Sequence, residues 1–320
     1  MEISNKAAVP GLSKASAQLR RKKKRQINLW CWSFLLMSLI FYILFLGWPI
    51  VSSIYYSMLK WSGLTSSSTF VGLNNYKSLL KDTIYWNAFA DSFKYTAIAV
   101  PCLLVISLFL AYLLNNEKLR GRNLYRTAYF VPVVTTTSVV GTVMIFIWSA
   151  QGPINNALSV LGLTDSAINF LGSGATAFQT LVAVSVWKDC GTYMIYWLAG
   201  LQSVGQDQYE AAAIDGAKRV QTFFRVVFPQ VLPTAGVITI LCTINALKIF
   251  DLIKTMTNGG PFYKTDVVAT WVYRTAFSSE LGMPRMGYAS AGALLFGLVV
   301  IVIGTFLGIL KTRLQKIGGR

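Results

Sequence analysis

Five stretches of this 320-residue chain contain no charged side chain: 26–59, 95–116, 127–164, 226–247 and 286–310. A sixth apolar run, about 177–203, is interrupted only by Lys188 and Asp189. About 20 apolar residues suffice for a helix to cross the hydrocarbon of a bilayer, so runs of this length and number constrain the fold more than any other feature. Spans are predicted near 29–51, 95–114, 127–149, 177–201, 230–250 and 287–310. The tract 127–164 holds one span and not two, because Gly152-Pro153 and Asn155-Asn156 break it. Only 13% of residues are charged and 54% are hydrophobic, against about 25% charged in soluble domains. The expectation is an all-α membrane protein with six transmembrane helices.

Orientation follows from lysine and arginine. With both termini in the cytoplasm, the inner segments carry eight, four, three and four of the 29 basic residues. The outer segments carry four, none and five, and Lys188 lies within a span. The excess on one side predicts both termini inside. The net charge of +17 suggests a nucleic-acid partner at first sight. Its placement at span ends and in the run Arg20–Arg25 fits anionic inner-leaflet lipid instead. That run ahead of an apolar stretch mimics a signal peptide, but no small-residue cleavage site follows Gly47-Trp48-Pro49, so it reads as an uncleaved first span. All four cysteines (Cys31, Cys102, Cys190, Cys242) fall in predicted spans and form no disulfide framework by spacing. Histidine is absent, which argues against metal and triad enzymes. No Gly-x-x-x-x-Gly-Lys-Ser/Thr loop occurs, so ATP would have to be handled by another polypeptide.

Between the fourth and fifth predicted spans lies a polar, basic, helix-prone segment running from Gln208 to Pro233. Asp207 with Glu210 is a capping-box spacing, so a helix is predicted to start near Gln208 and to stop at Gly216. Val220, Phe223, Phe224, Val227 and Phe228 then recur at helical spacing beside Lys218, Arg219 and Arg225. Two short helices joined at a glycine form a knob, and Pro229 and Pro233 open the next apolar run. Each feature alone has a plain explanation: a helix cap, a helix stop, aromatics at the lipid interface.

In this order, Glu210-Ala-Ala, Asp215-Gly216, a basic amphipathic stretch and Pro-x-x-x-Pro resemble the cytoplasmic coupling loop of ABC importer permeases. Phe70-Val-Gly-Leu-Asn-Asn-Tyr in the first outer loop, followed by an amphipathic piece 75–93, is similar to a segment of carbohydrate-importing permeases. Lys118 to Pro132 resembles the inner loop leading into the third span, and Thr257-Asn-Gly-Gly-Pro the outer loop after the fifth. The likeness covers roughly 28–312 and is greatest to the sugar branch typified by the maltose permease pair. It implies a type I ABC importer transmembrane domain. Its parts would be a basic cytoplasmic tail at 1–27 with no ordered structure, a six-span domain at 28–312 with its coupling loop at 205–229, and a tail at 313–320.

The same resemblance implies that Glu210, Ala211, Ala212, Asp215, Gly216, Arg219, Phe223 and Phe224 contact the ATPase. It places the sugar site on the fourth and fifth spans, at Asp189, Thr192, Cys242, Asn245, Ala246 and Ile249. Polar groups inside spans default to functional candidates, although helix packing explains Cys242, Thr239 and Thr243 equally well. The pattern departs from the family at Ala246 and Ile249, which stand where the maltose permease carries polar amides, and at Thr192, which replaces an aromatic. Recognition could therefore fall partly to a partner. The implied assembly has a second homologous permease, two ATP-binding subunits that hold the ATP and Mg, and an extracytoplasmic solute-binding protein, all at a prokaryotic cell membrane. This chain itself would have no catalytic residue, metal or cofactor. The rivals are a permease for amino acids, polyamines or phosphate esters, a secondary transporter, and an intramembrane enzyme.

Overall fold

A computed structural model describes residues 10–116, 119–278 and 282–318, and it is helical almost throughout. The chain divides into two compact units, one up to Tyr55 and one from Tyr56 onward. In the first, α1 (Pro10–Tyr42) continues through a π-helical turn at Ile43–Gly47 into α2 (Trp48–Ser57). The helical stretch Leu19–Ser57 contains a run long and apolar enough to cross a membrane. Helix thus begins at Pro10, inside the tail for which no ordered structure was expected; residues 1–9 lie outside the described part. The physical reason is continuity. Once the apolar span is helical, the Lys/Arg run ahead of it consists of good helix formers that extend an existing helix without a new nucleus.

The second unit opens with a two-stranded antiparallel ribbon, β1 (Leu59–Lys60) against β2 (Thr69–Phe70), then α3 (Asn74–Leu79). Helix α4 (Thr83–Asn115) is capped by Asp82, whose carboxylate accepts the amides of Ile84 and Tyr85. It absorbs most of the amphipathic piece expected as a separate element. The third predicted span is broken: α5 (Arg122–Val134) and α6 (Thr137–Ile147) meet at a bend of 100°. Pro132 and the extended Thr135 and Thr136 interrupt the helical hydrogen-bond ladder there. Helix α7 (Pro153–Val160) begins at the Gly152-Pro153 pair and is too short to span.

Helix α8 (Gly174–Gln202) is the centre of the unit. It packs against α4 and against α11 (Phe228–Leu247) through a cluster that includes Ala99, Leu103, Val186, Met194, Trp197, Val231 and Ile238. A second cluster joins α4 to α13 (Val268–Phe277) and α14 (Met286–Gly318) around Tyr85, Trp271 and Phe296. A third joins α6 and α8 to α12 (Asp251–Met256) around Val140, Leu181 and Ile253. Small residues let the backbones approach: a Cβ at Gly191 would lie 2.2 Å from the Tyr129 carbonyl oxygen of α5, and one at Gly287 would lie 2.0 Å from that of Leu59.

Among the described residues, four helices are long and apolar enough to cross a membrane, and a fifth if the bent pair counts as one. The expected six are therefore not all recovered on length and hydropathy. The shortfall is α8, which at 29 residues is long enough but carries Lys188, Asp189 and several aromatic and polar groups. More than half of α8 is buried within the protein. A helix shielded by its neighbours can carry fewer apolar side chains than one bathed in lipid.

Candidate functional site

Two groups of residues converge at different levels of the α4–α8–α11 core. At one end, α9 (Gln206–Ile214) and α10 (Arg219–Thr222) form the polar knob. Helix α9 starts at Gln206, two residues before the expected position, with Gly205 at its N-cap and no side-chain cap. Asp207 stands in the first turn, where its charge complements the helix dipole, and is not the cap predicted. The stop is where the sequence placed it. Gly216 is left-handed (φ +72°), its amide bonds the Ala213 carbonyl, and the Ala217 amide reaches back to Ala212. That pair of bonds is a Schellman ending.

The second helix of the knob is not a free-standing element. Helix α10 runs through a π-helical turn, Phe223–Val227, directly into α11, so any force on it is applied to the span. Ala212 is buried, and Phe223 is half-buried with its ring 4.8 Å from that of Tyr112 near the end of α4. Glu210, Ala211, Asp215, Gly216, Arg219 and Phe224 are exposed. Beside them Ile214 and Val220 also stand in the open, Ile214 at 86% exposure. Of the eight residues expected to contact the ATPase, six are thus presented outward and two anchor the knob. Tyr209, which the sequence reading missed, packs with Phe223 on the same core; burial raises its hydroxyl above the ordinary range, with Tyr112 adding to the rise. Arg126 donates to the Leu114 carbonyl at 2.9 Å and so closes the end of α4 next to the knob.

The second group lies at the middle of α8 and toward the C-terminal end of α11. Lys188 is buried and its ammonium sits 3.2 Å from the half-exposed carboxylate of Asp189. The Asn245 side chain donates to the Tyr193 hydroxyl at 3.3 Å, a bond that ties α11 to α8. Asn245 is exposed, and Asp189, Thr192 and Ile249 are half-buried. Cys242 and Ala246 are buried in the helix-packing cluster, so here they fill the core and do not line open space. Tyr193 belongs to this group and was not singled out from the sequence. The available signal was its spacing, one turn beyond Asp189 on the same stripe of α8.

Residues 85–316 match the family described as "Binding-protein-dependent transport system inner membrane component". Among curated relatives, the chain is 31% identical over 89% of its length to the probable ABC transporter permease protein YurN of Bacillus subtilis, covering 95% of that protein. It is also 31% identical over 90% of its length to the multiple sugar-binding transport system permease protein MsmF of Streptococcus mutans, covering 95% of it. Among solved structures, a bacterial ABC transporter involved in importing the acidic polysaccharide alginate has a chain that superposes with a TM-score of 0.79 at 23% identity, over 92% of this chain and 99% of that one. This chain belongs to the inner-membrane component family of binding-protein-dependent transport systems. It is a multi-pass membrane protein of the ABC importer transmembrane fold.

Proposed function

We propose that the chain is one of two permease subunits of an ATP-driven importer that moves a sugar or oligosaccharide by alternating access. The observation that carries this reading is the knob: six of its expected contact residues face outward while its second helix is continuous with α11. A push on α9 and α10 is thereby delivered to the helix that carries Asn245. Two ATP-binding subunits would grip the knob and hold the ATP and Mg, and a solute-binding protein would dock at the opposite face with both termini in the cytoplasm. The sugar assignment draws on relatives whose names specify multiple sugars, lactose and starch degradation products. Asp189 and Asn245 would supply hydrogen bonds as the sugar leaves water, where an unmade bond costs about 1–3 kcal/mol, and the buried Tyr193 would hold the Asn245 side chain in place.

The test is uptake by proteoliposomes that contain the full complex and its binding protein. Radiolabelled lactose, raffinose and maltotriose are the positive arms, and sn-glycerol-3-phosphate the contrasting arm, because a permease for that solute is also 32% identical to this chain. ATP-dependent accumulation of at least one sugar is expected. Uptake of the phosphate ester alone would overturn the substrate assignment, and uptake without ATP would overturn the pump.

A further inference from the structure

At the end of α4 and α8 remote from the knob, an open cleft of ≈ 690 Å³ is lined by Asn87, Asp91 and Lys94 of α4, Phe178 and Gln179 of α8, and the loop Phe262–Lys264. Its size is that of a small-molecule site, about 300–1,000 Å³. The loop is unusual. Phe262 and Tyr263 both have positive φ, +51° and +59°, a conformation that non-glycine residues rarely adopt and that persists only where the surroundings enforce it. The enforcing contacts are present. The buried Arg274 guanidinium pairs with the buried Asp266 carboxylate, to which Thr270 also donates. Arg274 also lies 4.2 Å from the Tyr263 ring centroid, and Thr257 and Thr265 share a 2.8 Å hydrogen bond across the base of the loop. The outcome of this bracing is a phenylalanine, Phe262, left 92% exposed at the rim of a polar cleft.

The cleft is aligned with the group around Asp189. Phe178 and Asp189 are eleven residues apart on α8, about three turns, so they share a face at roughly 16 Å separation. Between them Tyr95 sets its ring edge-on to Phe178, 6.4 Å between centroids. Aromatic rings beside amide, carboxylate and ammonium groups match a pyranose, which presents an apolar C–H face and a rim of hydroxyls.

From this we infer that the cleft is an outer saccharide subsite, in which the strained Phe262 offers its ring to one sugar unit while the exposed Asn87 and Gln179 bond its hydroxyls. Asp91 is buried and held by the Lys94 ammonium at 2.8 Å. This inference rests on the carbohydrate reading above. The competing use of an exposed phenylalanine is insertion into the docked binding protein, and the two predict different kinetics.

The experiment compares wild type, Phe262→Ala, Phe262→Tyr and Gln179→Ala in complete importers reconstituted with the binding protein, using whichever of labelled lactose, raffinose or maltotriose the wild type accumulates. Leu161→Ala, an exposed change outside the cleft, serves as the control. The expected result is a KM for uptake raised on the order of tenfold in Phe262→Ala and several-fold in Gln179→Ala, with Phe262→Tyr close to wild type. The concentration of binding protein that half-stimulates ATP hydrolysis should stay the same in all of them. An unchanged KM in Phe262→Ala, or a rise in that half-stimulating concentration, overturns the subsite. If wild type accumulates none of the three sugars, the carbohydrate reading itself fails and the subsite falls with it.

Discussion

Asn245 and Tyr193 form a contact whose worth can be measured directly. Their hydrogen bond crosses from α11 to α8, so Asn245→Ala and Tyr193→Phe should be non-additive in a double-mutant cycle, with a coupling of about 1 kcal/mol in thermal unfolding of the detergent-solubilised protein. If Asn245 also meets the solute, Asn245→Ala should lower uptake about tenfold, equivalent to about 1.4 kcal/mol. The packing residue Thr243 is the comparison, and a larger loss in Thr243→Ala would put the cavity on another face of α11. Gly216 is a different case. A Cβ there meets nothing within 4 Å, so only its φ of +72° restricts substitution. Gly216→Asn should therefore retain coupled transport, since asparagine tolerates left-handed backbone, whereas Gly216→Val should separate ATP hydrolysis from uptake in the reconstituted complex. Equal coupling in the two variants would remove the backbone explanation.

Among the elements, α8 governs the rest. It touches α4, α5 and α11, and its approach to α5 depends on Gly191, where a Cβ would collide with the backbone at Tyr129. Backbone cannot swing aside as a side chain can, so Gly191→Leu should lower the Tm of the purified protein by several degrees and broaden its size-exclusion profile. Exposed Leu163→Ala should leave both unchanged. The glycine stop of α9 and the break at Gly152-Pro153 were legible from sequence because backbone chemistry sets them locally, whereas the short helix α7 that follows the break was not expected. The break between α5 and α6 was less so. Pro132 allows a kink, but proline also sits inside α4 and α11 without ending either helix, so the residue alone does not say where the 100° bend falls.

For the molecule as a whole, sidedness remains the main expectation from charge. The segments around Leu124 and Leu163 are assigned to opposite sides of the membrane, and both side chains are exposed. In a background without native cysteines, Leu163→Cys should react with a membrane-impermeant maleimide in intact cells, and Leu124→Cys only after permeabilisation. The reverse pattern would invert the permease and move the knob away from cellular ATP.

The sequence by itself determined the membrane class, the order of the apolar helices and the position of the knob. Each of these is written in local chemistry: uncharged runs, a glycine stop, paired prolines, the placement of lysine and arginine. Tertiary structure decided what no local pattern encodes. It merged α10 with α11, and it joined Asn245 to Tyr193 across 52 residues. It buried Cys242 and Ala246, which the family resemblance had placed among the solute contacts, and it set Arg274, paired with Asp266, against the Tyr263 ring next to Phe262. The reason is that a helical stripe specifies which residues share a face, whereas the identity of the neighbour on that face depends on how separate helices close around one another.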